Sequence, residues 1–241
     1  MEEEPTTDQS KWGAKQAFLI FLAILGGVIG ASFFIGIIFG ILTIVKIDVL
    51  DLPFPSALFS IPLTEGVILV ITIIFVMNRD AGRRELGLKR ASSKILLIAA
   101  AAAVPLFFLS WGIDIAQTVV FGPNPQAELL TKLTSPRDVP QLIIMIMMNL
   151  VLVGPIEEAA YRGFVQKGFE NSFGKAKGLL ITSALFGITH VLNSPYNVAP
   201  ALLGGLVLGF VWQRTGGNTI VSATMHGVYN STAFILSFFL T

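Results

Sequence analysis

The sequence predicts an all-α protein, a polytopic transmembrane helical bundle of about seven to eight spans, on three observations. Hydrophobic residues make up 54% of the 241 and charged residues only 13%, with a mean hydropathy of +0.76, far from the balance of a soluble domain. Apolar runs close to the about 20 residues that cross a roughly 30 Å hydrocarbon core recur along the chain. Short polar joints separate them, and the basic residues gather in some of those joints. Alternating ten-residue segments, the mark of an outer-membrane barrel, are not seen.

Seven apolar segments are expected, at roughly 16–45, 55–78, 95–121, 141–164, 178–193, 197–213 and 218–240. The first, about 30 residues or about 45 Å long, must tilt, extend past the core or break near Gly26, Gly27 and Gly30, where an eighth span is also accommodated. Residues 1–15 are acidic before they are basic. The apolar run behind them is much longer than a signal-peptide core and has no small-x-small cleavage site, so they read as a cytoplasmic segment before a retained span. The whole chain, 1–241, is expected to form a single transmembrane domain. No inverted internal repeat of the transporter kind is visible.

Arg79, Arg83, Arg84, Lys89, Arg90 and Lys94 share one joint, Arg162, Lys167, Lys175 and Lys177 lie around another, and Arg214 ends the sixth segment. Alternating spans put all of these on one face, which the positive-inside rule makes cytoplasmic in what is expected to be the cell membrane. Such clusters at the ends of apolar runs form no stripe or aromatic platform, so no nucleic-acid partner is expected. With no cysteine, a disulfide framework, a thiolate metal site and a cysteine nucleophile are excluded. Gly26 with Gly30, Gly36 with Gly40 and Gly205 with Gly209 have the small-x-x-x-small spacing of close helix packing.

Inside this apolar chain the costly residues stand out. The two histidines, His190 and His226, and the cluster Glu157, Glu158 and Arg162 lie within apolar runs, where a charged residue costs roughly 2.5–3.5 kcal/mol at mid-membrane. Counted from the basic face, Glu157, His226 and His190 lie roughly 12, 12 and 18 Å deep, so they can meet in one cavity opening toward the cytoplasm. Glu158 and Arg162 are an i,i+4 pair of opposite charge. Glu157, turned about 100° from Glu158, is left to face the cavity. His226 and Asn230 share a helical face, as do Phe186 and His190. Gly154-Pro155 just before the glutamates is expected to bend the helix or open its hydrogen bonds, and Ala159 and Ala160 leave room for a neighbour.

These residues carry a resemblance. Glu157-Glu158-Ala159-Ala160-Tyr161-Arg162, Phe186-Gly187-Ile188-Thr189-His190 and His226-Gly227-Val228-Tyr229-Asn230 resemble the EExxxR, FxxxH and HxxxN motifs of the CAAX-protease and bacteriocin-processing family, also called the Abi or type II CAAX prenyl endopeptidase family. The motifs occur in order over about residues 141–235, within an expected catalytic core at 141–240. The resemblance implies an intramembrane endopeptidase of the glutamate type. It implies that Glu157 activates water with the help of His190, and that His226 and Asn230 stabilise the oxyanion. Glu158 and Arg162 are read as supporting residues with a structural and electrostatic role. No cofactor is expected. The partners are a peptide or protein substrate, prenylated or hydrophobic, and membrane lipid.

Two other functions are open to the same residues. Glu157, His190 and His226 form a ligand set that zinc accepts, although the HExxH signal is missing. A polar cavity also suits a non-enzymatic immunity protein, scaffold or small transporter. Glu65, after Pro62 and Thr64, reads as a helix start, and Asp114 as interfacial. Phe186 and Trp212 read as packing and anchoring, and Asn193 and Tyr196 as an outer turn.

Overall fold

The computed structural model describes residues 12–79 and 82–240. The expected cytoplasmic segment 1–15 therefore lies, apart from its last four residues, outside the described residues. Every apolar segment is helical: α1 Ala14–Ile44, α2 Ala57–Met77, α3 Ser93–Phe121, α5 Val139–Phe173, α6 Lys175–Thr189, α7 Val198–Arg214 and α8 Thr219–Leu240. The joint 122–140 adds a short exposed helix, α4 Ala127–Thr134. There Lys132, 2.7 Å from Glu128, holds that carboxyl below the usual carboxylate range. No strand is found among the described residues.

The ends of the helices follow from local chemistry. Asp138 caps α5 by accepting from the Gln141 amide at 2.8 Å, and Pro140 occupies the first turn, where its missing donor costs nothing. Gly174 at φ +81° separates α5 from α6, and Gly216 and Gly217, both at positive φ, turn α7 into α8. Runs of Ile, Leu, Val, Phe and Ala fill most of the length between these points, and the Ser and Thr among them donate to carbonyls one turn earlier, as Thr72 does to Ile68 and Thr224 to Ile220.

Among the described residues five helices are long and apolar enough to span a membrane: α1, α2, α3, α5 and the stretch Pro195–Arg214 containing α7. The protein is thus a multi-pass membrane protein, with fewer such helices than the seven to eight spans expected. The shortfall has two physical causes. Helix α6 has 15 residues, about 22 Å at 1.5 Å per residue. Helix α8 is long enough at 22 residues, but His226, Tyr229, Asn230 and several Ser and Thr dilute its apolarity. Both sit inside the bundle, α8 against α3, α5 and α7, and α6 against α7 and the end of α5. No eighth span is hidden in α1, which runs unbroken through Gly26, Gly27 and Gly30 for 31 residues.

Polarity is arranged inside out. Phe33, Ile44 and Val119 are 73–81% exposed, whereas Glu158, Arg162 and Gln166 are fully buried. A bilayer covers such an outer face; water does not. The basic joints meet at one end: Lys89 Nζ donates to the Gly216 carbonyl at 2.8 Å, and Lys167 Nζ to that of Glu85 at 3.0 Å.

Two glycines bring α5 and α8 into direct contact. A Cβ on Gly154 would lie 2.6 Å from the Ala223 carbonyl oxygen, and one on Gly227 would lie 2.8 Å from that of Asn149. The middle of α5 and the first half of α8 therefore meet backbone to backbone, which only glycine at these two positions permits. Gly205 and Gly209 likewise face Ser183 and Gln166, whereas Gly26, Gly30, Gly36 and Gly40 point into open space. Of the three small-residue stripes read from the sequence, only the one on α7 is used within the chain.

Candidate active site

Helix α5 is one helix with two π-helical stretches, Asn149–Val153 and Ala159–Gln166, on either side of Pro155. Proline breaks the regular ladder by removing a donor, and π turns absorb the register change. The wider turns rotate the side chains beyond them. Arg162, Gln166 and Phe164 are all fully buried, and Glu158 is directed into the bundle.

From Arg162 a line of charge runs through the core. Its Nε lies 3.2 Å from Glu158 Oε2, and both side chains have no exposure. Glu158 Oε1 lies 3.2 Å from His226 Nδ1 on α8, and His226 Nε2 lies 3.8 Å from Glu157 Oε2. Ser222, one turn earlier on α8, donates its hydroxyl to the Thr219 carbonyl at 3.2 Å. Glu158 accepts, so Nδ1 of His226 carries a proton, and Nε2 faces Glu157.

Phe186 of α6 is the hub on the apolar side. Its ring lies 4.7 Å from that of His190, 6.0 Å from His226 and 4.9 Å from Tyr161, and the Arg162 guanidinium sits 5.0 Å from its centre. A buried guanidinium over an aromatic face gains cation–π attraction. At the end of α6 the His190 Nδ1–H donates to the Phe186 carbonyl at 2.8 Å, which turns Nε2 away from its own helix.

Glu157, His190, His226 and Asn230 all line one cavity of about 220 Å³. Leu106, Phe186, Pro200, Ala201 and Leu208 form an apolar wall opposite them. The lining also includes Asn197, so the cavity extends toward the end of α7 opposite the basic joints. Glu158 and Arg162 stay behind the wall. Among the described residues no three or more of His, Cys, Asp and Glu are grouped so as to hold a metal ion, the set Glu157, His190 and His226 included.

Glu65 is the residue whose place the sequence reading missed. It sits in the third turn of α2, 4% exposed, with its carboxyl close to that of Glu157. The available signal was its lone charge inside an apolar run. Asp114 is half-buried on α3, Trp212 Nε1 donates to Thr219 Oγ1 at 3.1 Å, and the Tyr196 hydroxyl, in the turn before α7, donates to the Gly122 carbonyl at the end of α3 at 2.8 Å.

Fold and site together define a multi-pass helical membrane protein with a buried glutamate–histidine centre. Residues 139–232, which hold all three motifs, match the family of type II CAAX prenyl endopeptidases described as Rce1-like. The matched stretch takes in α5, α6, α7 and the first part of α8, and is similar to that family over this part of the chain. No curated protein and no solved structure matches it.

The buried pair makes a stability prediction. Arg162→Met strips Glu158 of its counter-ion, and breaking a buried pair from one side costs roughly 3–5 kcal/mol. Thermal unfolding in detergent should show a large loss for Arg162→Met. The double variant Glu158→Gln/Arg162→Met should lose less than the single one. A neutral Arg162→Met would show that the pair does not hold this core.

Proposed function

We propose that the protein is an intramembrane endopeptidase that hydrolyses a peptide bond in a membrane-associated protein or peptide. The observation that carries this reading is the convergence of Glu157, His190, His226 and Asn230, from two helices and a helix end, on one cavity. The similarity of residues 139–232 to the type II CAAX prenyl endopeptidases supports the reaction class, and the cavity supplies groups suited to each step.

Glu157 takes a proton from a water molecule that His190 Nε2 orients, and the resulting hydroxide attacks the peptide carbonyl. The negative charge that develops on the carbonyl oxygen is met by the Asn230 amide and by His226. Donation from His226 Nε2 requires the imidazolium. Its counter-charges are in place, with Glu158 at 3.2 Å and Glu157 at 3.8 Å. Collapse of the tetrahedral intermediate breaks the C–N bond, and Glu157 returns its proton to the leaving amine. The products are a carboxylate and an amine, and the base is regenerated.

The apolar wall suits a hydrophobic or prenylated segment lying beside the scissile bond. Purified wild type and Glu157→Gln should be compared by mass spectrometry on prenylated C-terminal peptides and hydrophobic leader peptides. Products from wild type alone, at least about 100-fold above the variant and unchanged by strong chelation, are expected, as removal of an essential base costs about this much or more. Equal profiles from both proteins would favour a binding role. Loss of activity on chelation would restore the zinc reading, and equal cleavage with and without the prenyl group would count against the lipid preference.

The end carrying the basic joints is proposed to face the cytoplasm of the cell membrane. The natural absence of cysteine makes this easy to check. Lys177→Cys and Gln126→Cys, both exposed, lie at opposite ends. An impermeant thiol reagent should label the second in intact cells and the first only after lysis; the reverse would invert the topology.

A further inference from the structure

Glu65 lies outside the family match and outside the cavity lining, yet its buried carboxyl lies close to that of the proposed base. Its Oε2 is shut off from solvent with no hydrogen-bond donor beside it among the described residues. Two carboxylates in contact repel and offer each other no donor, so a carboxyl pair at hydrogen-bond distance holds a proton between them. The two members of this pair are not equivalent. Glu65 is sealed inside α2, whereas the Glu157 side chain keeps 16% exposure, opens on the cavity and faces His226. An unpaired charge is harder to sustain at the sealed position, so the proton belongs to Glu65.

We propose that Glu65, in its protonated form, is a positioning residue for peptide hydrolysis, donating a hydrogen bond that fixes the Glu157 carboxylate toward the cavity. The inference rests on the peptidase reading of the site. Glu65 acts through Glu157 and does not touch substrate. One Glu157 oxygen is engaged from behind, and the free lone pairs are held toward the water to be deprotonated. A carboxylate without this support would swing about its side-chain torsions, and misplacing a catalytic group by about 1 Å costs about 100-fold in rate. The required chemistry at position 65 is a donor of the right length. Glutamine supplies one and leucine does not.

The test uses the full-length protein and a peptide cleaved by wild type, with Glu65→Leu, Glu65→Gln and Glu157→Gln compared after their melting curves are recorded. Glu65→Leu should lower kcat about 10- to 100-fold with KM within about twofold, and Glu65→Gln should recover most of that loss. Infrared difference spectra of wild type against Glu65→Gln should show the C=O stretch of a protonated carboxyl at neutral pH, a readout that needs no substrate. Wild-type kcat in Glu65→Leu, equal impairment in both Glu65 variants, or absence of the carboxyl band would each overturn the inference. Wild-type turnover by Glu157→Gln would instead bring down the peptidase reading, and the infrared band would then decide the Glu65 assignment alone.

Discussion

Everything in the second half of the molecule depends on one fully buried ion pair, Arg162 with Glu158. A guanidinium and a carboxylate sealed inside an apolar bundle are tolerable only together, and each then has capacity left over. Glu158 uses its second oxygen to hold His226, and Arg162 lays its face on Phe186, which in turn abuts His190. The pair therefore does more than neutralise itself. It fixes the orientation of one imidazole through a hydrogen bond and the surroundings of the other through a ring.

The backbone makes this arrangement possible. Regular α-helical geometry would stack Glu158 and Arg162 on one face with Glu157 about 100° away, but would not by itself bury all of them against α8. Two π stretches around Pro155 widen the helix where its polar side chains must turn inward. Gly154 and Gly227 then remove the side-chain layer between α5 and α8. With that layer gone, short acidic side chains reach a histidine on the neighbouring helix.

How much of this was legible in the sequence depends on the kind of signal. Apolar length and polar joints located the helices to within a few residues except at the end of α5, which runs nine residues past the expected 164 to Phe173 because its last turns are polar. The three motifs named the residues that line the cavity, and spacing alone paired Glu158 with Arg162. Span number was less legible, because α6 is short and α8 mixes site residues with apolar ones while being sheltered by its neighbours. Reading His226 as a link between Glu158 and Glu157 was out of reach, since it needs the rotation that the π turns impose. Glu65 was misjudged for a related reason: its partner lies 92 positions along the chain, and no local pattern announces a contact at that distance. The glycine stripes show the converse. Identical spacing on α1 and α7 meets open space in one case and a packed helix in the other.

The central claim is that the Arg162–Glu158 pair sets the protonation and aim of His226. With only two histidines in the chain, nitrogen-15 labelling of histidine gives spectra simple enough to assign through a His190 variant. In the wild type His226 Nδ1 should carry a proton, with its hydrogen-bond signature altered in Glu158→Gln. A neutral His226 bearing its proton on Nε2 alone, unaffected by the change at Glu158, would contradict it.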